Sequence, residues 1–384
     1  MKLHKKSTIF IILLAVLVTV IPAAEAFDVS LESAILIEAE TGQHLFEKNI
    51  NEKLPPASIT KIMTLLIAME KIEEGTISLE DEVTISRFAE SMGGSQIFLA
   101  ANTRVKMSDL LKAVTIASAN DASVAVGEAI AGTYSSFISM MNEKAEVLGM
   151  DSTNFVNSTG LPDPSGDHYS TAEDISIMAR ELVKYDQVLE WASIWVDHLQ
   201  LPNREAMLVN TNKLIKSYPS MDGLKTGHTD EAGYCLVATA KKGDSRLISV
   251  VLKGETQLER EEATIRLLDY GFNSFSKKQM AKKGDRIQNI RLPGGAKKVM
   301  EGEVAENFYV MVQKGQENSL HQEVKVDDLS APVNKGKKVG SLLVYQNDNI
   351  IGEVDVVAAE TVKKANFIVR GWRNLIGFIG GLFN

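Results

Sequence analysis

Hydrophobic residues follow different periodicities in different parts of this 384-residue chain. Near the N-terminus, the apolar run 33–38 predicts a buried strand, 41–42 a turn, and 45–46 the beginning of a partner strand. After two prolines, apolar residues recur at helical spacing through 58–71, which predicts a helix with one buried face.

The middle of the chain is mostly helical in pattern. Helical spacing is found at 108–116, 122–131, 134–148 and 171–184; strand patterning returns at 234–240 and 246–252, and an amphipathic helix is predicted at 259–272. Strands from both ends with helices between them predict a mixed α/β domain, residues 27–275, whose sheet is completed late in the chain.

After residue 275 the pattern changes to short alternating runs separated by Gly, Asn and Asp. The clearest runs are 308–312, 324–326, 342–345 and 350–357. They predict a small all-β domain at 276–358.

The last segment, 359–384, has apolar residues at helical spacing, with Lys363, Lys364, Arg370 and Arg373 off that face or at its start. This pattern predicts an amphipathic helix lying in the plane of an anionic membrane surface. A helix docked on the body of the protein is the alternative.

The N-terminus has the composition of a signal peptide. Three lysines precede the apolar run 9–21, and Ala24-Glu25-Ala26 provides small residues for cleavage. We therefore expect 1–26 to be removed and the protein to be exported, attached peripherally to the outer face of the cytoplasmic membrane. An uncleaved N-terminal anchor is the alternative.

Composition adds three constraints. With 45% hydrophobic and 24% charged residues the chain is globular, and its formal net charge of −9 argues against a nucleic-acid partner. A single cysteine permits no internal disulfide. Cys235 lies in a predicted buried strand, so we expect an inert core thiol rather than a reactive one.

Three short elements suggest chemistry by their order in the chain. Ser58-Ile59-Thr60-Lys61 places a hydroxyl and an amine on one helix face, where the lysine could remove the serine proton. That role requires a lowered lysine pKa, for which burial and the nearby cation Lys225 would be responsible. One such element is weak evidence alone, whereas the ordered set is strong.

The second element, Ser118-Ala119-Asn120, follows a predicted helix and therefore falls at a helix end or in a loop. There Ser118 could pass a proton between Lys61 and a leaving amine. Asn120 could hydrogen-bond both Lys61 and a substrate amide.

The third element, Lys225-Thr226-Gly227-His228, is predicted to open a strand. Gly227 would let a substrate backbone lie close to the strand edge, and Lys225 and Thr226 could hold a terminal carboxylate. The backbone N–H groups of Ser58 and His228 would then form an oxyanion hole.

With these elements in place, the chain resembles the D-alanyl-D-alanine carboxypeptidases of bacterial cell-wall metabolism, which are penicillin-binding serine peptidases of the low-molecular-mass type. The similar segments are 56–64, 93–95, 117–122, 222–229 and 232–234, together with the β-rich module and the terminal helix. The resemblance implies a penicillin-binding/β-lactamase-like transpeptidase domain, with an antiparallel sheet flanked by helices and a helical subdomain.

The resemblance also implies roles for particular residues. By it, the acylated residue is Ser58, the base is Lys61, the relay is Ser118 with Asn120, the substrate is bound by Lys225 and Thr226, and its carboxylate is held by Arg260. The substrate would be a peptidoglycan stem pentapeptide, β-lactams would acylate the same serine, and no cofactor or metal is expected. Ala119 replaces the family's usual Gly or Asp, and Arg204, in a less similar region, receives no role.

Other classes share part of this pattern. A class A β-lactamase needs a Glu-x-x-x-Asn loop, but Glu173 is followed by Ser176 three positions on and Ile177 four positions on. A non-enzymatic β-lactam or peptidoglycan sensor would be acylated without releasing D-alanine. A zinc peptidase needs an H-E-x-x-H cluster and a Ser-His-Asp hydrolase a G-x-S-x-G turn, and the sequence has neither.

Overall fold

The computed structural model describes residues 27–162, 164 and 167–366. The predicted signal peptide, 1–26, and residues 367–384 of the predicted terminal helix lie outside the described residues.

The elements alternate between strands and helices up to residue 274 and are almost entirely strands afterwards. The strands are β1 Ser33–Glu38, β2 His44–Lys48, β3 Glu82–Thr84, β4 Arg104–Lys106, β5 Val196–Leu201, β6 Arg204–Val209, β7 Met221–Thr229, β8 Gly233–Lys242, β9 Ser245–Gly254, β10 Phe275–Ala281, β11 Arg286–Arg291, β12 Val299–Val304, β13 Phe308–Gln313, β14 Leu320–Val326, β15 Lys338–Gln346 and β16 Asn349–Ala358. The helices are α1 Lys61–Glu73, α2 Arg87–Glu90, α3 Met107–Ile116, α4 Asn120–Ala131, α5 Tyr134–Val147, α6 Ala172–Leu182, α7 Asp186–Ser193, α8 Leu214–Ser217 and α9 Gln257–Ser274.

A five-stranded antiparallel sheet of order β2-β1-β9-β8-β7 forms the centre of the N-terminal region. Its strands alternate between two apolar layers. Ile35 and Ile37 pack into the cluster that contains α1, α3 and α6, whereas Leu36 packs with Leu267 and Leu268 of α9. This sheet between helices confirms the predicted mixed α/β architecture, and β7 is left at the edge of the sheet.

The helix predicted from residue 58 begins differently. Ala57–Thr60 forms a 3₁₀ turn, and α1 starts only at Lys61. Ala57 has a φ of +47°, which no α-helical residue adopts, and Ile59 N–H donates to Pro56 O at 3.1 Å. Ser58 therefore lies in a tight turn in front of the helix, not within the helix.

The prediction that Lys225 opens a strand is wrong in its boundary. Pairing of β7 with β8 already begins at Met221, opposite Ala240, and continues to Thr229 opposite Gly233. Lys225 is therefore in the middle of the edge strand, where residues on both sides of it are paired with β8 and hold it in place.

The C-terminal β-rich region has its own apolar cluster, which includes Val310, Val344 and Val356. It contains a five-stranded sheet of order β11-β12-β16-β15-β14 and the pair β10-β13. Gln43 joins it to the N-terminal region, since its amide donates to Met311 O at 2.8 Å and accepts from Met311 N–H at 2.7 Å.

The predicted terminal helix does not begin at 359. Residues 359–366 contain no helix and pack against the β-rich region, where Val362 pairs with Val333 and Lys364 with Gly295. Val362 and Ala365 are buried. This tail contributes to the core of the module, which explains why it is extended. Within the described ranges, no helix has both the length and the apolarity to cross a membrane.

Candidate active site

The central pair of the site is Ser58, half-buried in the 3₁₀ turn, and Lys61, which is fully buried at the first position of α1. Lys61 Nζ lies 2.9 Å from Ser58 Oγ. The two side chains meet because the tight turn and the first turn of α1 place residues three apart on one side.

Two oxygen acceptors complete the surroundings of the Lys61 amine. Nζ lies 2.6 Å from Asn120 Oδ1 and 2.7 Å from Thr159 O. A neutral amine has two N–H donors and one lone pair. When the donors are used on these two oxygens, the lone pair is directed at the Ser58 hydroxyl.

The orientation of Asn120 is fixed by its other contacts. Its Nδ2 donates to Gly93 O at 2.7 Å, so that Oδ1 faces Lys61, and its backbone N–H donates to Ser95 O at 2.7 Å. The loop containing Gly93 and Ser95 therefore acts on the lysine through the asparagine amide.

Burial is the main reason that the pKa of Lys61 is well below its usual value, and the positive charge of Lys225 lowers it further. Asp121 acts in the opposite direction. The Asp121 carboxylate accepts the backbone N–H groups of Ile97 and Leu99 at 3.0–3.2 Å, so its charge is partly compensated by these donors of the loop. The amine therefore exists in its neutral form at a lower pH than an exposed lysine does.

Ser118 occupies the link between α3 and α4, where it is buried and has a φ of +61°. Its hydroxyl forms no hydrogen bond with any described residue. The structure thus brings Ser118 to the start of the helix that carries Asn120, while the proton-relay role stays a prediction.

The edge strand β7 supplies a second buried cation. Lys225 is 1% exposed, its Nζ donates to Thr226 O at 2.9 Å, and burial followed by the charge of Arg260 lowers its pKa to about 7. Arg260 is itself buried on α9, with its Nε unpaired among the described residues. His228, further along the strand, is exposed and lies against the Tyr234 ring at 4.1 Å between centroids.

Gly227 also has a structural role that the sequence did not predict. A Cβ at this position would lie 2.9 Å from Pro56 O and 3.2 Å from both Ala57 and Ile59 side chains. The missing side chain allows β7 to pack directly against the 3₁₀ turn Ala57–Thr60, which carries the predicted nucleophile Ser58. Its predicted role beside a substrate backbone stays a prediction.

Sequence reasoning missed the segment 157–160, which closes the site from the other side. Gly160 has a φ of +74°, and a Cβ there would lie only 1.8 Å from Ala57 O. Asn157 Oδ1 accepts the N–H groups of Thr159 and Gly160 at 3.1 and 2.6 Å. The Asn-x-x-Gly spacing was a usable turn signal, but nothing in the sequence marks a main-chain oxygen as a lysine partner.

Thr211 and His168 support the site from behind. Thr226 Oγ1 donates to Thr211 Oγ1 at 2.7 Å. Buried His168 accepts Val156 N–H at Nδ1, so its Nε2–H is directed to Thr60 Oγ1 at 2.7 Å, and the Thr60 hydroxyl donates to Ala57 O at 2.8 Å. This chain of hydrogen bonds fixes the turn that carries Ser58.

Several alternative chemistries lack their residues in this part of the molecule. Among the described residues no carboxylate forms a hydrogen bond with Ser58 or Lys61, and no cluster of three His, Cys, Asp or Glu side chains is suited to a metal ion. Cys235 is buried, donates to Ala232 O at 3.4 Å, and has a pKa raised by burial to about 11. Its thiol is therefore protonated at neutral pH.

Comparison with known proteins agrees with the geometry. A family model for D-alanyl-D-alanine carboxypeptidase matches residues 20–256, and a model for the C-terminal domain of penicillin-binding protein 5 matches 275–364. D-alanyl-D-alanine carboxypeptidase DacF of Bacillus subtilis is 42% identical over 340 residues, which are 88% of this chain and 87% of that protein.

Solved structures give the same result. Penicillin-binding protein 5 from Haemophilus influenzae has a TM-score of 0.79 at 28% identity, covering 89% of this chain and all of that one. Penicillin-binding protein D2 from Listeria monocytogenes, in its ampicillin-bound form, has a TM-score of 0.57 at 32% identity, covering 64% of this chain and 98% of that one. This chain belongs to the D-alanyl-D-alanine carboxypeptidase family, and the predicted fold class is confirmed.

Replacing Gly160 by alanine should disrupt the site, because the new Cβ would collide with Ala57 O. We expect the rate of acylation by penicillin to fall about 100-fold, the usual cost of misplacing a catalytic group by an ångström. Gly149→Ala is the matched control, since Gly149 has a φ of +75° but nothing within 4 Å of its Cβ position. Equal losses in both variants would mean that only backbone strain matters.

The lowered pKa of Lys225 predicts how stability depends on pH. Between the folded value of about 7 and the unfolded value of ~10.4, the unfolded state binds more protons at this site. Stability should therefore rise with pH in that window by up to about 1.4 kcal/mol per pH unit, and the Lys225→Met variant should lack this contribution.

Urea unfolding of both proteins at pH 7, 8 and 9 measures the effect, with Lys241→Met at the exposed end of β8 as the control. A difference between wild type and Lys225→Met that does not change with pH would contradict the lowered pKa.

Proposed function

We propose that this protein is a serine-type D-Ala-D-Ala carboxypeptidase that removes the terminal D-alanine of peptidoglycan stem pentapeptides through an acyl-enzyme at Ser58. The observation that carries the proposal is the buried Lys61 amine, whose Nζ lies 2.9 Å from Ser58 Oγ and has two further oxygens, Asn120 Oδ1 and Thr159 O, within 2.7 Å to accept its N–H groups. Family membership supports the same reaction.

Acylation begins when Ser58 Oγ attacks the carbonyl carbon of the penultimate D-alanine and its proton passes to Lys61 Nζ. Collapse of the tetrahedral intermediate breaks the C–N bond, and the amine of the terminal D-alanine takes up a proton through Ser118. The backbone N–H groups of Ser58 and His228 stabilise the oxyanion. Water then attacks the ester, which returns Ser58 and frees the trimmed stem peptide.

Recognition of the C-terminal carboxylate falls to the buried cationic side of the site. Lys225 and Arg260 supply charge. The Thr226 hydroxyl, which donates to Thr211 in this structure, would turn its proton to the carboxylate and accept from the Thr211 hydroxyl instead. A bound carboxylate raises the pKa of Lys225 and keeps it charged. The substrate backbone lies along the free edge of β7, beside Gly227, and Asn120 meets its amide.

β-Lactams acylate the same serine in this proposal, because the lactam carbonyl and carboxylate match those of the dipeptide. The likeness to a structure described as ampicillin-bound supports this. A class A β-lactamase activity is disfavoured by the missing carboxylate beside Ser58 among the described residues. A sensor without turnover is disfavoured by relatives named as carboxypeptidases.

We further propose that 27–275 form the catalytic domain and that the β-rich domain extends from 276 to about 366, with residues 1–26 a signal peptide. Residues 367–384 attach the exported protein peripherally to the outer face of the cytoplasmic membrane. Apolar residues at helical spacing and Arg370 and Arg373 support this attachment.

Ser58→Ala should abolish both covalent labelling by penicillin and D-alanine release, since among the described residues Ser58 is the one nucleophile in contact with Lys61. Mass spectrometry of the intact protein, after incubation with penicillin and with a D-Ala-D-Ala pentapeptide, measures both. Unchanged thermal unfolding is the control for folding. Labelling of the alanine variant would identify a different nucleophile, and wild type that is acylated without releasing D-alanine would indicate a sensor.

Deleting residues 367–384 should leave D-alanine release unchanged and move the protein from the membrane fraction to the soluble fraction after a high-salt wash. The deletion stops at 367 because 359–366 belong to the β-rich core. Fractionation followed by penicillin labelling measures the distribution. A truncated protein that resists the salt wash would contradict attachment through this segment.

A further inference from the structure

One end of the β-rich module concentrates positive charge. Three chain segments meet there, 291–298, 333–338 and 359–366, and they contain a single carboxylate, Glu360. Their cations, here called the basic patch, are Arg291, Lys297, Lys298, Lys335, Lys337, Lys338, Lys363 and Lys364. All are exposed, in a chain whose formal net charge is −9.

Backbone hydrogen bonds hold the three segments together. Val333 and Val362 exchange hydrogen bonds at 3.0 and 2.8 Å, Ala296 N–H donates to Lys363 O at 2.8 Å, and Ala365 N–H donates to Gly294 O at 2.9 Å. The basic patch is therefore a feature of the folded module and does not depend on a flexible tail.

Most of these cations form no ion pair with a described residue. Lys297 pairs with Glu360 at 2.7 Å and Lys338 with Asp355 at 2.5 Å. The other six cations form no ion pair with a described residue. Six like charges on one surface create a positive potential that attracts an anionic partner.

The course of the chain indicates which partner this is. Immediately beyond Asn366, the chain continues from the basic patch into 367–384, where Ile368, Val369, Trp372 and Leu375 recur at helical spacing. Attachment of that segment to a membrane would bring the basic patch to the headgroup layer. Anionic lipid headgroups there would neutralise the lysines.

We propose that the basic patch is a second membrane contact, which binds anionic lipid headgroups and fixes the module at the membrane surface. This inference deepens the attachment proposed above and adds a folded surface to it. A single weak anchor gives marginal and reversible attachment, whereas an apolar segment combined with a basic surface gives stable attachment.

The test is co-sedimentation of the purified full chain with vesicles of phosphatidylcholine alone and with vesicles that contain phosphatidylglycerol as well. The patch variant carries Lys335→Gln, Lys337→Gln and Lys363→Gln, none of which forms an ion pair with a described residue. The control variant carries Lys278→Gln, Lys282→Gln and Lys283→Gln, which remove the same charge from exposed positions near the other end of the module.

Each lysine near an anionic leaflet contributes about fivefold to affinity, so the patch variant should bind the anionic vesicles roughly 100-fold more weakly. Its binding to neutral vesicles should be unchanged, and added salt should reduce the difference. The loss of affinity for anionic vesicles in the control variant should be less than a tenth of the loss in the patch variant. All three proteins should release D-alanine from a soluble pentapeptide at the same rate, which verifies folding.

Equal losses in the two variants, or no loss in either, would overturn the proposal. A patch variant that loses affinity for soluble polyphosphate but not for anionic vesicles would also overturn it, since the partner would then be a polymer. Failure of the proposed catalytic function is a separate outcome, because it appears as missing D-alanine release by the unsubstituted chain.

Discussion

Everything at this site depends on a lysine amine held away from water. Burying a charged ammonium costs several kcal/mol, and burying its neutral form costs far less. Because Lys61 is fully buried and Lys225 adds a second positive charge, folding itself favours the neutral amine. Two fixed oxygens then use its donors, so that the lone pair faces Ser58. The proposed base is thus prepared before any substrate arrives.

Close backbone packing makes this burial possible. Gly160 approaches Ala57 from one side and Gly227 approaches Pro56 from the other, at distances that exclude a side chain. The turn Ala57–Thr60 is therefore held between the 157–160 segment and the edge strand β7. Behind the turn, His168 and Thr60 fix the Ala57 carbonyl through a chain of hydrogen bonds. A tight, strained turn persists here because its surroundings leave it no alternative conformation.

A small number of polar contacts joins the two parts of the chain. Lys277, at the start of the β-rich region, contacts Glu38, which is 1% exposed in β1, and also Glu40. Gln43 adds a pair of hydrogen bonds to the backbone of Met311. These polar contacts couple the orientation of the β-rich module to the central sheet. The basic patch lies on the module itself, and its hydrogen bonds have their partners there.

The sequence by itself determined the local chemistry and the periodic elements. The order of Ser58, Lys61, Asn120 and Lys225 and the change to short strands after residue 275 could be predicted because they depend on residue type and spacing. Only the tertiary structure decided that Thr159 contributes a carbonyl oxygen, that Gly227 serves packing, and that 359–366 complete a β core. A main-chain oxygen leaves no mark in a sequence. The close approaches join segments that are far apart in the chain, Thr159 to Lys61 and Gly227 to Pro56, and these become neighbours only on folding.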